Sequence, residues 1–393
     1  MSRLEELIQQ LCPDGVEYRK LGDICNVIRG KRLTTKELSE SSEFPVYHGG
    51  ITPIGYYSQF NRESYSTMII NVGASAGTVG FSYEKFWSSD GCFCFTHNEL
   101  INQKYLFFVF QSLEYNIKSK VRKAGIPTLD NKDVECIIIP LPPLPVQEEI
   151  VRLLDQLTET TQKYQAELEA ELELRKKQYE EYRNQLLDLE GKEGVEMKTL
   201  GEIGEFIRGN GIQKTDFIKE GFPCIHYGQI HTKFDLSTNT VISYIDKSLY
   251  TRCRKAETDD VILATTSEDV ECVAKPLVWL GTEKVAISGD AYIFRHNQNG
   301  LFIAHQFMTH NFLLFKKKYA TGTKVVRISG DNMAKFKFPL PSLAEQQRIV
   351  DILDRMDKAH KELCQSIEEE IKKRKQQYEY YRNQLLDFKK KES

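Results

Sequence analysis

Two turns that combine glycine with cationic side chains are the first residues of this chain that could do chemistry. The first turn is Arg29-Gly30-Lys31-Arg32, with Thr34 and Lys36 beyond it, and the second is Arg208-Gly209-Asn210-Gly211, with Lys214 beyond it. Guanidinium and ammonium groups bind phosphate oxygens, and long side chains on such a turn can also reach base edges. We therefore predict that both turns contact nucleic acid. An ordinary surface turn would have the same composition, and the residues leave that alternative open.

Three further pairs of segments carry polar side chains suited to the same chemistry. A histidine opens a Gly-containing bend at 48–50 and again at 226–229, small hydroxyl residues occupy 72–78 and 264–269, and basic residues cluster at 118–123 and 316–327. The predicted contact residues in these segments are His48, Ser75, Lys120, Arg122, Lys123, His226, Tyr227, Gln229, Thr266, Ser267, Lys324 and Arg327. The basic clusters, which also contain Lys118, Lys316, Lys317 and Lys318, are the best candidates for phosphate contacts. A structural role remains the alternative for the histidines, and a helix cap for the hydroxyl residues.

The sequence contains none of the catalytic signatures that we searched for. No glycine-rich loop is followed by Lys-Ser or Lys-Thr, no cysteine and histidine pairs have zinc spacing, and no Gly-x-Ser-x-Gly elbow occurs. The Asn/Asp-Pro-Pro-Tyr loop with which amino-methyltransferases grip a flipped base is also missing, since Pro142-Pro143 lies in LPPLP instead. We therefore predict a binding protein with no catalytic residues and no bound metal.

These candidate residues lie in a sequence pattern that occurs twice along the chain. LGDICNVIRGK at 21–31 recurs as LGEIGEFIRGN at 200–210, an offset of 179 residues, whereas PLPPLPVQEEIV at 140–151 recurs as PLPSLAEQQRIV at 339–350, an offset of 199. KQYEEYRNQLLD at 177–188 matches QQYEYYRNQLLD at 376–387 at the larger offset. About 20 residues are therefore inserted in the second copy, before its proline signature. A period this long indicates a tandem duplication of a domain plus a helix, not a solenoid.

A long helix with an apolar seam is predicted after each proline signature. The first seam is Ile150, Leu154, Leu157, Tyr164, Leu168, Leu172, Tyr179, Tyr182, Leu186 and Leu189. The second seam is Ile349, Leu353, Met356, Leu363, Ile367, Ile371, Tyr378, Tyr381, Leu385 and Phe388. Both have an extra four-residue step at the same place, which suggests that the helices pack against each other. Antiparallel pairing is preferred, because about 44 residues span roughly 66 Å and parallel pairing would need a return connection of that length.

Composition and charge limit the classes of protein that fit. A chain of 393 residues with 40% hydrophobic and 28% charged residues should form two or more globular units. No apolar run approaches the roughly 18 residues of a membrane span, so we expect a cytoplasmic protein with reduced cysteines. The net charge of −3 is uneven, since 145–190 carries −6 and 344–388 carries −1, which leaves about +4 elsewhere. The acidic helix faces are either solvated surfaces or a binding site for a basic partner.

Several of these segments together resemble a known family. LCPDGVEYRKLGDI at 11–24, LGEI at 200–203, the two proline signatures and the helices ending in YRNQLLD resemble the specificity (S) subunit of type I restriction-modification systems. The resemblance covers nearly the whole chain. It implies an α+β protein with two globular α/β target recognition domains containing twisted β-sheets, separated by two long antiparallel α-helices that form a coiled coil in a pseudo-two-fold tandem repeat. The domains would be target recognition domain 1 (1–143), spacer helix 1 (144–190), target recognition domain 2 (191–342) and spacer helix 2 (343–393).

The resemblance also implies a function. Each recognition domain would read one half of a bipartite, asymmetric target in double-stranded DNA, while the helices set the gap between the halves and dock two methyltransferase (M) subunits. S-adenosylmethionine would be bound by the M subunits, and ATP and magnesium by restriction (R) subunits, so this chain would carry no cofactor and need no membrane. The open alternatives are a stand-alone DNA-modifying enzyme and a coiled-coil scaffold with no DNA role.

Overall fold

The computed structural model describes residues 2–392, which form two compact units. Unit 1 contains the residues up to Glu169 together with those from Glu368 onward, and unit 2 contains Ala170–Ile367. Two long helices, Leu144–Leu187 and Leu343–Leu385, each contribute residues to both units. Each unit therefore combines a sheet-containing domain with the N-terminal part of one long helix and the C-terminal part of the other.

The domain of unit 1 is built on an antiparallel sheet. Its elements in chain order are α1 (Arg3–Leu11), β1 (Glu17–Lys20), β2 (Val27–Arg29), β3 (Phe44–Tyr47), β4 (Tyr56–Tyr57), β5 (Ser66–Ile70), β6 (Val79–Ser82), β7 (Trp87–Ser88), β8 (Cys92–Phe95), α2 (Gln103–Ser112), α3 (Glu114–Ser119), α4 (Asn131–Glu135), β9 (Ile138–Leu141) and the long helix α5 (Leu144–Leu187). The main sheet has the order β2-β8-β5-β6, a second sheet has the order β4-β3-β7, and β1 pairs with β9.

Unit 2 repeats this topology with additions. Its elements are β10 (Glu196–Thr199), α6 (Leu200–Ile203), β11 (Gly204–Arg208), β12 (Phe222–Ile225), α7 (Tyr227–Thr232), β13 (Ser237–Thr238), β14 (Ser243–Ile245), α8 (Lys247–Arg252), β15 (Lys255–Ala256), β16 (Val261–Ala264), β17 (Thr266–Ser267), β18 (Lys275–Trp279), β19 (Val285–Ile287), β20 (Ala291–His296), α9 (Gly300–Gln306), α10 (His310–Tyr319), β21 (Val326–Arg327), α11 (Gly330–Met333), β22 (Lys337–Leu340) and the long helix α12 (Leu343–Leu385). The sheets have the orders β11-β20-β16-β18-β13 and β14-β12-β19-β15, with β10-β22 and β17-β21 as separate pairs.

Most of the residues inserted in unit 2 lie between β12 and β16. Strand register makes Arg29 equivalent to Arg208, because they pair with Phe93 and Tyr292 at the same point of the two main sheets. Between β3 and β5 unit 1 forms only β4 as a named strand, whereas between β12 and β16 unit 2 forms α7, β13, β14, α8 and β15. Unit 2 therefore has two short helices in this stretch, α7 and α8, where the described residues of unit 1 form none.

The start of each long helix is fixed to the domain that precedes it. Ile150 and Leu154 of α5 are fully buried in the core of unit 1, and Ile349 and Leu353 of α12 are fully buried in the core of unit 2. Burial of each such side chain contributes about 1.5–3 kcal/mol. The first three turns of each helix are consequently part of a domain core, not a solvated spacer.

A buried glutamine completes the attachment of each helix. The Gln147 side-chain amide donates to the carbonyls of Leu100 and Pro142, and its Oε1 accepts from the main-chain N–H of Asn102, which caps α2. In unit 2, Gln346 is also fully buried: its amide donates to the carbonyl of Pro341 and to the side-chain oxygen of Gln298, and its Oε1 accepts from the main-chain N–H of Asn299, which caps α9. The glutamines thus join the proline segment, the helix start and a neighbouring helix cap.

The long helices pack antiparallel in both units, which confirms the predicted pairing. In unit 1 the Thr158 hydroxyl lies 3.1 Å from the Tyr378 hydroxyl, and the Arg374 guanidinium lies 5.7 Å from the centre of the Tyr164 ring. A higher residue number in α5 therefore meets a lower number in α12. In unit 2 the Tyr179 hydroxyl donates to Asp357 at 3.2 Å, and its ring stacks on a histidine of α12 at 4.6 Å.

The predicted apolar seam is wrong at several tyrosine and leucine positions. Tyr182 and Tyr381 are 55% and 45% exposed, and Tyr164 and Leu363 are also exposed. The buried residues near the end of α5 are Arg183 and Leu187, each one position later than the seam predicts, and the Arg183 guanidinium donates to the main-chain carbonyl of Met308. A straight helix of 3.6 residues per turn drifts away from a strict 3.5-residue repeat, which moves the contact line to the next residue. Within residues 2–392 no helix has the length and hydropathy needed to cross a membrane.

We predict that two buried histidines, His305 and His296, make unit 2 sensitive to acid. His305 lies six residues after the cap Asn299 of α9, where unit 1 has Phe108 six residues after Asn102. Burial lowers the pKa of His305 from 6.5 to about 4, and burial also lowers that of His296 to about 4. Below pH 6.5 the unfolded chain binds a proton at each histidine that the folded chain excludes, so stability falls as the pH falls from 6.5 to 4.

His305→Phe should remove one of the two histidine contributions, about 3 kcal/mol at most. The measurement is the urea unfolding midpoint of the His305→Phe variant and the unsubstituted chain between pH 7 and pH 4, approximately. An equal loss of stability in both proteins over that range would contradict the assignment.

Candidate nucleic-acid interface

The first cationic turn of unit 1 lies at the end of β2, against the turn between β7 and β8. Arg29 Nε donates to the main-chain carbonyl of Asp90 at 2.9 Å, and the main-chain N–H of Lys31 donates to the carbonyl of Ser88 at 2.9 Å. A Cβ on Gly30 would lie 2.1 Å from the carbonyl oxygen of Ser89, so only glycine fits this close approach. Arg29, Lys31 and Arg32 are exposed, which leaves their cationic groups available to a ligand.

His48 and Ser75 lie on two loops that meet near the same turn. His48 Nδ1 is 3.3 Å from a carboxylate oxygen of Asp90 without hydrogen-bond geometry, and the imidazole is 40% exposed. A Cβ on Gly91 would lie 2.8 Å from that nitrogen and 3.0 Å from Val72 Cγ1. The loop after Val72, which contains the half-buried Ser75, therefore contacts the histidine loop.

A basic hairpin closes the other side of the same surface. Arg122 and Thr128 bond to each other through their main chains, and the N–H of Gly73 donates to the carbonyl of Pro127 at 2.9 Å. The hairpin tip is exposed, with Ile126 69% accessible, and the predicted contacts Lys120, Arg122 and Lys123 are all exposed. Unit 1 thus brings the Arg29 turn, the His48 bend, the Ser75 loop and this hairpin into one connected surface.

Thr34 and Lys36 lie further along the chain and differ in role. The Thr34 main-chain N–H and hydroxyl both donate to Glu37, so the threonine caps a short 3₁₀ helix. These hydrogen bonds lower the pKa of the Glu37 carboxyl. Lys36 is exposed on that helix and remains available for a phosphate contact.

Unit 2 builds an equivalent surface from the equivalent elements. Arg208 Nε donates to the carbonyl of Gly289 at 3.0 Å, and a Cβ on Gly209 would lie 2.2 Å from the carbonyl oxygen of Ser288. Thr266 and Ser267 of β17 pair with β21, which ends at Arg327. The predicted contacts Arg208, Lys214, Lys324 and Arg327 are exposed, and Tyr227 and Ser267 are half-buried.

Three predicted contact residues in unit 2, His226, Gln229 and Thr266, are buried or hydrogen-bonded within the domain. His226 is 7% exposed and its Nδ1 accepts from the main-chain N–H of Gly228 at the start of α7. Gln229 accepts from the N–H of His226 and donates to the hydroxyl of Ser243. Burial and the nearby Lys214 lower the pKa of His226. Thr266 is 8% exposed, so His226 and Thr266 present little side-chain surface to a ligand, whereas Gln229 is half-buried.

Two further polar residues of unit 2 also form hydrogen bonds within the protein, the exposed Asn210 and the buried Lys316. The Asn210 amide donates to the carbonyl of Arg252 and accepts from the N–H of Arg254, so it joins the turn to the segment after α8. Lys316, part of the predicted basic cluster, is 5% exposed and donates to the carbonyls of Glu271 and Val273. Burial lowers its pKa to about 8. Including Lys316 among the phosphate-binding lysines was therefore wrong.

Sequence reasoning missed the two arginines that lie beside Asn210. Arg252 and Arg254 are both exposed, and the run Arg-Cys-Arg-Lys at 252–255 was the available signal. It was missed because the run lies between β12 and β16, where the two sequence copies differ in length and the repeat gives no guidance.

A shallow cleft of about 290 Å³ lies in unit 2 between the Arg208 turn, the start of α7 and the turn at 288–290. A guanidinium from Arg208, a phenol ring from Tyr227 and a carboxylate from Asp290 line it. Donors and acceptors on one concave surface suit contacts to a sugar-phosphate backbone or to base edges. Within residues 2–392 no group of three or more His, Cys, Asp or Glu side chains could hold a metal ion.

Comparison with known proteins adds family evidence to this geometry. The family model for the type I restriction modification DNA specificity domain matches residues 13–174 and 192–373. The chain is 29% identical over 413 residues to the type I restriction enzyme EcoR124I/EcoR124II specificity subunit of Escherichia coli, covering 100% of this chain and 98% of that protein. It is 26% identical over 387 residues to a putative type I restriction enzyme specificity subunit of Haemophilus influenzae, covering 95% and 96%.

Solved structures share the fold. A chain from a structure concerned with complex assembly and conformational transition of the type I R-M system has a TM-score of 0.75 at 18% identity, covering 96% of this chain and 98% of that chain. The HsdS subunit from Thermoanaerobacter tengcongensis has a TM-score of 0.54 at 18% identity, covering 96% and 97%. Because the family match includes most of both sequence copies, this chain belongs to the family of type I restriction-modification specificity subunits.

Proposed function

We propose that this chain is the non-catalytic DNA-recognition subunit of a type I restriction-modification complex. Units 1 and 2 each bind one half of a bipartite, asymmetric site in double-stranded DNA. The observation that carries the proposal is that one framework recurs with different side chains. In both units an arginine turn, a histidine-bearing segment, a hydroxyl-bearing segment and a basic hairpin converge, but His48 lies in a bend and is half exposed, whereas His226 caps α7 and is buried. Different side chains on one framework would read different sequences.

The exposed cations of each surface would position the duplex, and the shorter polar groups between them would read it. Lys31 and Lys123 in unit 1 and Lys214 and Lys324 in unit 2 are exposed and suit phosphate oxygens. The polar side chains of His48, Ser75, Tyr227 and Ser267 are half-buried and suit base edges. Phosphate contacts provide affinity that does not depend on sequence, while base contacts provide discrimination.

The partners in this proposal are two methyltransferase subunits and the restriction subunits, assembled in the cytoplasm. The long helices carry exposed apolar and aromatic side chains suited to docking, among them Leu174, Tyr182 and Tyr380, which are 53%, 55% and 59% exposed. S-adenosylmethionine belongs to the methyltransferase subunits, and ATP and magnesium belong to the restriction subunits. The length of the helices sets the number of base pairs between the half-sites.

The decisive experiment maps methylated adenines by long-read sequencing in a host that expresses this chain with its methyltransferase subunit. The expected result is one bipartite motif with unequal halves. Purified chain given DNA, magnesium and S-adenosylmethionine should transfer no methyl group and cleave no strand, since turnover would favour a stand-alone enzyme. Its DNA affinity should fall steeply with salt, with a logarithmic slope of roughly 0.9 per phosphate contact. Salt-independent binding, or none, would favour a scaffold without a DNA role.

A further inference from the structure

In unit 2 the segment after α8 brings two further arginines to the Arg208 turn. The chain leaves α8 at Arg252 and continues through Cys253 to Arg254. The Asn210 amide binds this segment at both ends, at 3.1 Å to the carbonyl of Arg252 and 2.7 Å to the N–H of Arg254. The Cys253 thiol also donates to the Asn210 carbonyl at 3.5 Å. Three hydrogen bonds therefore fix the segment at 252–254 against the turn.

The resulting surface carries four exposed cationic side chains, namely those of Arg208, Lys214, Arg252 and Arg254. Three carboxylates lie nearby: Asp290 lines the cleft beside Arg208, and Asp246 and Asp216 are engaged in helix caps. Asp246 accepts from two main-chain N–H groups at the start of α8, and Asp216 accepts from the N–H of Gln213. The hydroxyl and main-chain hydrogen bonds at the cap lower the pKa of Asp246, and Arg252 lowers it further. The local balance of side-chain charge remains positive.

Unit 1 supports its equivalent turn in a different way. Arg62 donates to the carbonyls of Asn61 and Arg29, and the indole N–H of Trp87 donates to the carbonyl of Lys31. Arg62 is half-buried and Trp87 is buried, so this support is internal. In unit 2 the turn is instead bonded to the segment at 252–254, which presents two arginines to solvent.

We propose that Arg252 and Arg254 contact phosphates of the DNA half-site bound by unit 2. The segment after α8 would thereby add two contacts between this unit and the DNA backbone. This inference rests on the proposed function. Hydrogen bonds fix the main chain of this segment, and the side chains of both arginines are exposed. Such side chains are suited to phosphate contacts, which strengthen binding without selecting a sequence.

The test is the double variant Arg252→Gln/Arg254→Gln of the full chain, measured by fluorescence anisotropy on labelled duplexes across a salt series. Loss of two phosphate contacts should lower the logarithmic salt slope by about 1.8 and weaken binding on the order of 10- to 30-fold at about 0.15 M salt. The loss should be equal for a cognate and an unrelated duplex. The matched control Lys198→Gln/Lys337→Gln removes the same charge from the β10–β22 pair and should keep the slope of the unsubstituted chain.

An unchanged slope in the arginine variant would overturn the inference, and so would a loss confined to one sequence, since that would mean base reading. The same loss in the lysine control would also overturn it, because the effect would then come from net charge. If the unsubstituted chain itself shows no salt-dependent binding, the proposed function fails, and that outcome is distinct from the others.

Discussion

Gly30→Ala is expected to weaken DNA binding by unit 1 about 10- to 100-fold, which corresponds to about 1.4–2.7 kcal/mol. A Cβ at this position would lie 2.1 Å from the carbonyl oxygen of Ser89 and 2.2 Å from that of Ser88. The turn must move away, which breaks the bond between the N–H of Lys31 and Ser88 and shifts the cationic side chains of Arg29 and Lys31. Overpacking of this kind usually costs about 1–3 kcal/mol.

The same unit offers a matched control for this substitution. A Cβ on Gly50 meets no atom within 4 Å, so Gly50→Ala should bind DNA within about 2-fold of the unsubstituted chain. Anisotropy titrations of both variants and methylation mapping in the assembled complex provide the comparison, with thermal unfolding as the check on folding. Equal affinity of a folded Gly30→Ala variant and the Gly50→Ala variant would show that the first turn does not contact DNA.

Gln346→Met is expected to lower the free energy of unfolding of unit 2 by about 3 kcal/mol. Methionine has a similar length but cannot replace the bonds to Pro341, Gln298 and Asn299. Each buried donor or acceptor left without a partner costs about 1–3 kcal/mol. The start of α12 would therefore lose its attachment to the cap of α9.

The neighbouring glutamine is the control for this effect. Gln347 is exposed and bonds only at the surface, to Asn299 and Asp351, so Gln347→Met should change the unfolding free energy by less than about 0.5 kcal/mol. Urea unfolding followed by circular dichroism measures both variants. Similar midpoints for the two would mean that the buried amide does not stabilise the helix start.

The architecture was largely readable from the residues because it depends on periodicity and repetition. The recurrence of LGDI as LGEI and of the proline signatures located both domains, and the apolar spacing predicted the long helices that the structure places at Leu144–Leu187 and Leu343–Leu385. Antiparallel pairing was predicted because parallel helices would need a return connection of roughly 66 Å. The individual seam positions were less predictable, since Arg183 is buried where Tyr182 was expected.

The candidate site was readable only in part, because burial depends on residues that are distant in sequence. Arg29 and Arg208 are exposed at equivalent strand ends, as the repeat suggested. His226 and Lys316 match the same compositional pattern, yet both are buried. No local signal distinguishes a lysine that faces solvent from one whose ammonium group caps two carbonyls across the domain.

The sequence by itself determined the duplicated plan, the long helices, the lack of a recognisable catalytic motif and the membership suggested by the paired signatures. Only the tertiary structure decided which polar residues share a surface. Asn210 meets Arg252 and Arg254 across more than 40 residues, and Arg122 reaches the loop after Val72 through Thr128. Helix and strand patterns arise from neighbours a few positions apart, whereas a binding surface arises from contacts between segments that only packing brings together.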